Sequence, residues 1–169
     1  MARLLFDSRI SLSDALDKLH TDPCTMTRVP LIVRIVENPK FQFFDRNVFL
    51  IPGAMHLLDH DAVHILLDKG FAPHEEAYVI GVTMGSTQKI SPIIKAMYLA
   101  IAQFLYPSLY RFRERDVIWL NVGIRHGQAF GKSDISKIRA TEYRDWPIEK
   151  LRSEFLSECY IEKYLASRR

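Results

Sequence analysis

Apolar residues recur along this chain mostly at the three- and four-residue spacing that places side chains on one face of an α-helix. This spacing predicts a short first helix that buries Leu12, Leu16 and Leu19. Further helices are predicted over 55–68, 73–84, 91–106, 114–127 and 147–165. Segment 27–36 fits either a strand or a helix, and we favour the helix. The pattern therefore predicts an all-α protein, a single-domain helical bundle over residues 1–169.

The second and third of these helices are predicted to form a hairpin. Gly70 follows the first of the pair and suits the left-handed conformation that ends many helices. Pro73 suits the first turn of the next helix. Because the chain reverses between them, the start of the second helix should lie beside the end of the first.

Side chains of metal-binding type gather on this hairpin. His64 lies one turn beyond His60 and about 40° around the helix, while Asp61 projects from the same side. The reversal brings Glu76 near His64. Imidazole nitrogen and carboxylate oxygen suit zinc, iron, manganese or cobalt. We therefore predict a divalent metal site formed by His60, Asp61, His64 and Glu76, with zinc as the leading candidate and open positions for water or substrate.

The role of Asp61 in this site has three alternatives. Asp61 could bind the metal, act as a general base and thus as the catalytic residue, or orient a histidine from outside. Zinc would activate water or polarise a carbonyl, whereas iron would support oxygen chemistry. Three other histidines, His20, His74 and His126, have no supporting residues in the sequence and are not assigned to a site.

Composition narrows the classes of partner and compartment. The 169 residues are 48% hydrophobic, enough for a sizeable core, and 23 Lys and Arg against 20 Asp and Glu give a net charge of +3. This balance does not predict nucleic acid as a partner. Cys24 and Cys159 form no CxxC pair, which favours a reducing compartment. We predict a cytoplasmic protein, with peripheral attachment to the cytoplasmic face of a membrane as a further option.

Two other patterns have alternative interpretations. The segment 104–113 mixes aromatic residues with arginines, which suits a membrane interface, but we favour ordinary packing. Gly123, Gly127 and Gly131 recur every fourth residue. They could admit a neighbouring helix or an apolar ligand, but we favour local flexibility.

The spacing His60-Asp61-x-x-His64-x(11)-Glu76 resembles the signature of the coenzyme Q (ubiquinone) biosynthesis protein four family. The resemblance covers 52–84 and continues more weakly through 127–129 and 146–152. It implies an all-helical, membrane-associated protein that binds a polyprenylated quinone precursor, or another isoprenoid lipid, beside a metal held by these four residues. It also implies other quinone-biosynthesis enzymes as partners and oxidative decarboxylation at C1 of the ring. A homodimer is compatible with this reading.

Three hypotheses follow, and we prefer a metal-dependent enzyme of prenylquinone biosynthesis. The second is a non-catalytic lipid-binding scaffold that organises quinone-biosynthesis enzymes, in which the metal only fixes the hairpin. The third is a zinc-dependent hydrolase, because His-Asp-x-x-His resembles the His-Glu-x-x-His motif of zinc peptidases. We rank the hydrolase last, since aspartate is shorter than the glutamate that those enzymes use as a base.

Overall fold

The fold is all-α, as the apolar spacing predicts. A computed structural model describes residues 6–21, 42–43, 46–47, 52–108 and 111–165. The helices are α1 (Leu12–Thr21), α2 (Leu57–Leu67), α3 (Pro73–Ser86), α4 (Pro92–Ala100), α5 (Glu114–Phe130), α6 (Ile148–Phe155) and α7 (Glu158–Tyr160). Two-residue strands β1 (Gln42–Phe43) and β2 (Arg46–Asn47) pair antiparallel. The helix predicted over 27–36 lies outside the described residues. Among the described helices, none has the length and apolarity to cross a bilayer.

The C-terminal segment, predicted as one helix over 147–165, is broken. Leu156 is extended and forms an antiparallel bridge with Gly131. The N–H of Ser157 donates to the carbonyl of Phe130 (2.8 Å), and the Ser157 side chain accepts from the Tyr160 N–H at the start of α7. Pairing with the preceding loop therefore replaces helical hydrogen bonds at this point, and the prediction of a continuous helix was wrong.

Two shorter elements complete the description. Helix α4 continues into a π-helical turn, Ile101–Leu105, and α7 into another, Ile161–Leu165. A 3₁₀ turn, Ile135–Lys137, lies in the polar connection before α6.

Helices α3 and α5 pack with their backbones in contact. Gly81 and Gly85 of α3 face Gly123 and Gly127 of α5, and a Cβ at any of the four would collide with a main-chain carbonyl of the other helix. The favoured interpretation of the α5 glycines as a flexible segment was therefore wrong. Close approach of a helix, the alternative, is what the structure shows. Gly131 lies beyond this contact, next to main-chain oxygens of its own segment.

Buried apolar side chains form two clusters that meet at α3. The larger cluster joins α1, α2, α6 and α7 to one side of α3. The smaller cluster joins α4 and α5 to the other side of α3. In α2, Ala62, Val63, Ile65 and Leu66 have no exposed surface. Helix α2 is thus buried from Asp61 to Leu67, as its nearly uniform apolar sequence predicts, whereas Leu57 and Leu58 in its first turn are exposed.

Candidate metal centre

The turn of the hairpin is built around Asp68. Helix α2 ends at Leu67, and Asp68 adopts the left-handed conformation with φ 55° and ψ 51°. The prediction that Gly70 takes this conformation was wrong. Aspartate tolerates it better than most residues, and here its buried carboxylate accepts from the Phe6 N–H (3.2 Å) and lies 3.8 Å from the Arg152 guanidinium. The next helix, α3, begins at Pro73 as predicted.

His60, His64 and Glu76 converge on one point beside this turn. The Glu76 Oε2 lies 3.4 Å from the His64 Nε2 and 3.9 Å from the His60 Nε2, and the three atoms lie within 4.8 Å of one another. A tetrahedral ion that is about 2.1 Å from each ligand would separate its ligands by about 3.4 Å. The three side chains are therefore close to the spacing that a single metal ion requires.

Both histidines direct a bare ring nitrogen into the site. The Nε2 atoms of His60 and His64 are buried and have no hydrogen-bond partner in the described part of the chain. The His64 Nδ1 lies 3.0 Å from the carbonyl of Gly70. Because a carbonyl can only accept, Nδ1 carries a proton, and in the neutral form of the ring Nε2 presents its lone pair. The Phe71 ring stacks on His64 with centroids 4.5 Å apart and covers its other side.

Burial and mutual charge shift the pKa values of all three groups. Burial, and secondarily the nearby His64, lower the pKa of His60 to about 4, so His60 is neutral at pH 7. Burial also disfavours charge on His64, but the Glu76 and Asp61 carboxylates outweigh it and raise the pKa of His64. Burial opposes ionisation of Glu76, and the two histidines overcome this and lower its pKa. Metal binding requires the neutral form of His64, so the raised pKa of this residue makes proton release part of metal binding.

Asp61 faces a different partner. Its Oδ2 lies 2.9 Å from the Nε2 of His20, and its side chain is not in the group of three convergent ligand atoms. Burial raises the pKa of Asp61, and the hydrogen bond from His20 partly offsets this. The assignment of Asp61 as a metal ligand or as the catalytic residue stays a prediction. Sequence analysis missed His20, because 41 residues separate the pair and no periodic pattern connects them.

Helix α2 is fixed at its C-terminal end by Arg152 of α6. The guanidinium is almost completely buried, and its Nε and Nη2 atoms donate to the carbonyls of Leu66 and Ile65, each at 3.0 Å. These carbonyls lie in the last turn of α2, where helical donors are lacking. Arg152 therefore supports the turn that carries His64. In the sequence, the one indication of this role was that Arg152 lies among the regularly spaced apolar residues of 147–156.

His126 also has partners that the sequence did not indicate. Its Nδ1 lies 2.9 Å from the Tyr78 hydroxyl, which lies 2.8 Å from the hydroxyl of Tyr160. This network connects α3, α5 and α7 through buried or half-buried groups. His74 lies near the Trp119 ring, with centroids 6.1 Å apart.

Comparison with family models, with curated proteins and with solved structures gives no match. The relationship to the quinone-biosynthesis family therefore stays a prediction that rests on the motif.

Proposed function

We propose that this chain is a divalent metal-binding protein of prenylquinone biosynthesis, with His60, His64 and Glu76 as the ligands. One observation carries the metal: two buried imidazole Nε2 atoms, which have no hydrogen-bond partner among the described residues, face one carboxylate. A buried histidine with only a packing role normally has its ring nitrogens satisfied. Leaving such an atom unpaired costs about 1–3 kcal/mol, and a metal ion would remove that cost.

Two imidazoles and one carboxylate fit zinc, and also iron(II), manganese or cobalt, with positions left for water or substrate. The bound ion would supply Lewis acidity and, if it is iron, redox chemistry. The residues around the ion supply the ligand orientation, the negative charge and a proton acceptor. The Gly70 carbonyl fixes the His64 tautomer, Glu76 provides negative charge, and Asp61 stands near the site as an acceptor for a proton from a bound ring precursor.

The lipid part of the proposal is supported by an exposed apolar face on α4 and its π-helical turn. Side chains on the opposite face, Tyr98, Ala102 and Tyr106, are buried. The outer face is apolar as well, with 80% exposure at Ile93, 38% at Met97, 74% at Phe104 and 62% at Leu105. A face of this kind suits contact with lipid or another apolar surface.

The charges around this face favour an anionic lipid surface. Residues 77–113 contain no Asp or Glu, and Lys89, Arg111 and Arg113 are exposed. The Arg111 Nε donates to the carbonyl of Tyr106 (3.3 Å), beside the end of the apolar face. Each cation near an anionic membrane contributes about 1 kcal/mol of attraction. We propose that the protein meets its isoprenoid substrate at this surface.

Metal binding is tested by elemental analysis of the purified protein and by competition titration with Zn²⁺ and Co²⁺. We expect one ion per chain, and at least about tenfold weaker binding in Glu76→Gln. Glu75→Gln is the matched control, because it changes the adjacent carboxylate in the same helical turn and should bind as the native chain does. A native chain that takes up no divalent metal would contradict the proposal.

Quinone chemistry is tested by incubating the metal-loaded protein with a prenylated 4-hydroxybenzoate and dioxygen and analysing products by mass spectrometry. The enzyme hypothesis predicts that water and dioxygen are consumed as the carboxyl group is replaced by a hydroxyl group, with release of CO₂ and H₂O₂. It also predicts loss of this activity in folded His64→Ala. Bound lipid without turnover would instead support the scaffold.

Membrane contact is tested by flotation with neutral vesicles and with vesicles that contain phosphatidylglycerol. We expect salt-sensitive binding to the anionic vesicles, loss of binding in Phe104→Glu and retention in Phe104→Leu. Equal flotation of all three proteins would show that this face is not the contact. A dimer in solution that Phe104→Glu dissociates would assign the face to a second copy of the chain.

A further inference from the structure

His20 lies on a helix that the core holds firmly against α2. Leu12, Ala15 and Leu16 of α1 are buried in the same apolar cluster as the inner residues of α2. At its other end, α1 is fixed by the N–H groups of Leu12 and Ser13, which donate to the carbonyls of Trp146 and Arg144 (both 2.9 Å). The position of the last turn of α1 is thus determined by packing and not by the His20 side chain.

The hydrogen bond from His20 to Asp61 joins an exposed group to a nearly buried one. The His20 side chain is 47% exposed and the Asp61 side chain 10%. In the described residues, His20 is the one hydrogen-bond partner of the Asp61 carboxylate. A carboxylate at that depth needs a donor, because its desolvation is otherwise uncompensated. Without His20, Asp61 would be free to turn toward solvent.

Asp61 directly follows His60 in α2, and its carboxylate is one of the charges that act on His64, so its orientation affects how much negative charge the metal site experiences. We infer that His20 is a positioning residue of this site, which acts by holding the Asp61 carboxylate beside the bound metal. Metal-binding sites commonly depend on such outer hydrogen bonds, and their loss weakens metal affinity about 10–100-fold. The inference rests on the proposed metal-binding function and adds α1 to the elements that build the site.

A double-mutant cycle measures this role. Dissociation constants for Zn²⁺ and Co²⁺ are determined for the native chain, His20→Ala, Asp61→Ala and the double variant. We expect His20→Ala to weaken binding by about tenfold or more. Because His20 acts through Asp61, the same substitution should change nothing further in the Asp61→Ala background. His20→Gln keeps an N–H donor and should recover most of the affinity.

Two controls separate positioning from a general effect on stability. Asp17→Ala alters an exposed residue of the same helix and should leave metal affinity unchanged. Thermal unfolding without metal should show little difference between the native chain and His20→Ala, and the Co²⁺ absorption spectrum should change in His20→Ala but not in Asp17→Ala.

Several results would overturn the inference. These are an unchanged affinity in His20→Ala, additive effects of the two substitutions, no recovery in His20→Gln, or equal destabilisation of the metal-free and metal-loaded proteins. If Zn²⁺ binds the native chain and His20→Ala equally well, this inference fails while the proposed metal site stands. If the native chain binds no metal, both fail.

Discussion

Replacing His60 by Leu should have opposite effects on the metal-free and the metal-loaded protein. The two side chains are similar in volume, and the His60 side chain is 13% exposed, with its Nε2 buried and without a hydrogen-bond partner in the described part of the chain. Leucine removes this buried polar atom, so the metal-free variant should be as stable as the native chain or more stable by about 1 kcal/mol. The metal-loaded variant should be clearly less stable, because a ligand has been lost.

The size of the second effect follows from binding linkage. At a metal concentration 100 times the dissociation constant, the native fold gains about 2.7 kcal/mol. For a chain of 169 residues the unfolding entropy is about 0.35 kcal/mol/K, so this gain corresponds to about 8 °C in melting temperature. We expect His60→Leu to lose most of this shift.

Differential scanning calorimetry with chelator and with added Zn²⁺ measures both effects on the same samples. The reasoning would be refuted if His60→Leu lowered the melting temperature in chelator by 8 °C or more, since His60 would then be a structural core residue. A native chain with the same melting temperature in both conditions would also refute it. His74→Leu, at a histidine outside the group of three, controls for loss of imidazole as such.

Three further predictions concern the scaffold and its pH dependence. Gly85→Ala should destabilise the protein by about 1–3 kcal/mol in urea unfolding despite the better helix propensity of alanine, because its Cβ would meet the Ile124 carbonyl; equal or higher stability would show that α3 and α5 can separate freely. Arg152→Ala should cost about 3–5 kcal/mol, because it removes the cation beside the buried Asp68 carboxylate and the side-chain donors to two helix-end carbonyls; Arg152→Lys should recover only part of this in the same assay. The pKa of His60 is about 4 in the fold and about 6.5 unfolded. Because the unfolded chain binds this proton more readily, protonation of His60 leaves the free energy of unfolding unchanged above pH 6.5 and lowers it progressively as the pH falls toward 4. Metal-free native protein should therefore lose up to about 3 kcal/mol more than His60→Leu over that interval, and parallel stability curves for the two proteins would contradict the assignment.

The hairpin could be predicted because its determinants are local. One helical turn separates His60 from His64, and Pro73 marks where α3 must begin, so sequence spacing alone places Glu76 near both. The left-handed residue could not be chosen in the same way. Asp68 takes that conformation because Phe6 and Arg152 satisfy its carboxylate, and both come from distant parts of the chain.

The contacts of His20 and of the glycines also depend on segments that are distant in sequence, which local spacing does not reveal. No local pattern joins His20 to Asp61, since the pairing depends on how α1 packs on α2. For the glycines a signal was present but was interpreted from one helix alone. Gly81 and Gly85 repeat the four-residue spacing of Gly123 and Gly127, and two such pairs on neighbouring helices indicate a close helix contact.

The glycine contact also bears on which ions the site accepts. Glu76 lies in the first turn of α3, whose main chain rests on that of α5, so this helix cannot shift outward by a small rotation of side chains. A wider cation would have to be accommodated by rotation of the Glu76 and His60 side chains, since His64 is held by the Gly70 carbonyl and covered by Phe71. Calcium takes six to eight oxygen ligands at about 2.3–2.6 Å. Because this main-chain contact reaches the Tyr78 carbonyl, close to Glu76 along α3, we expect it to favour small ions of the zinc type over large ones.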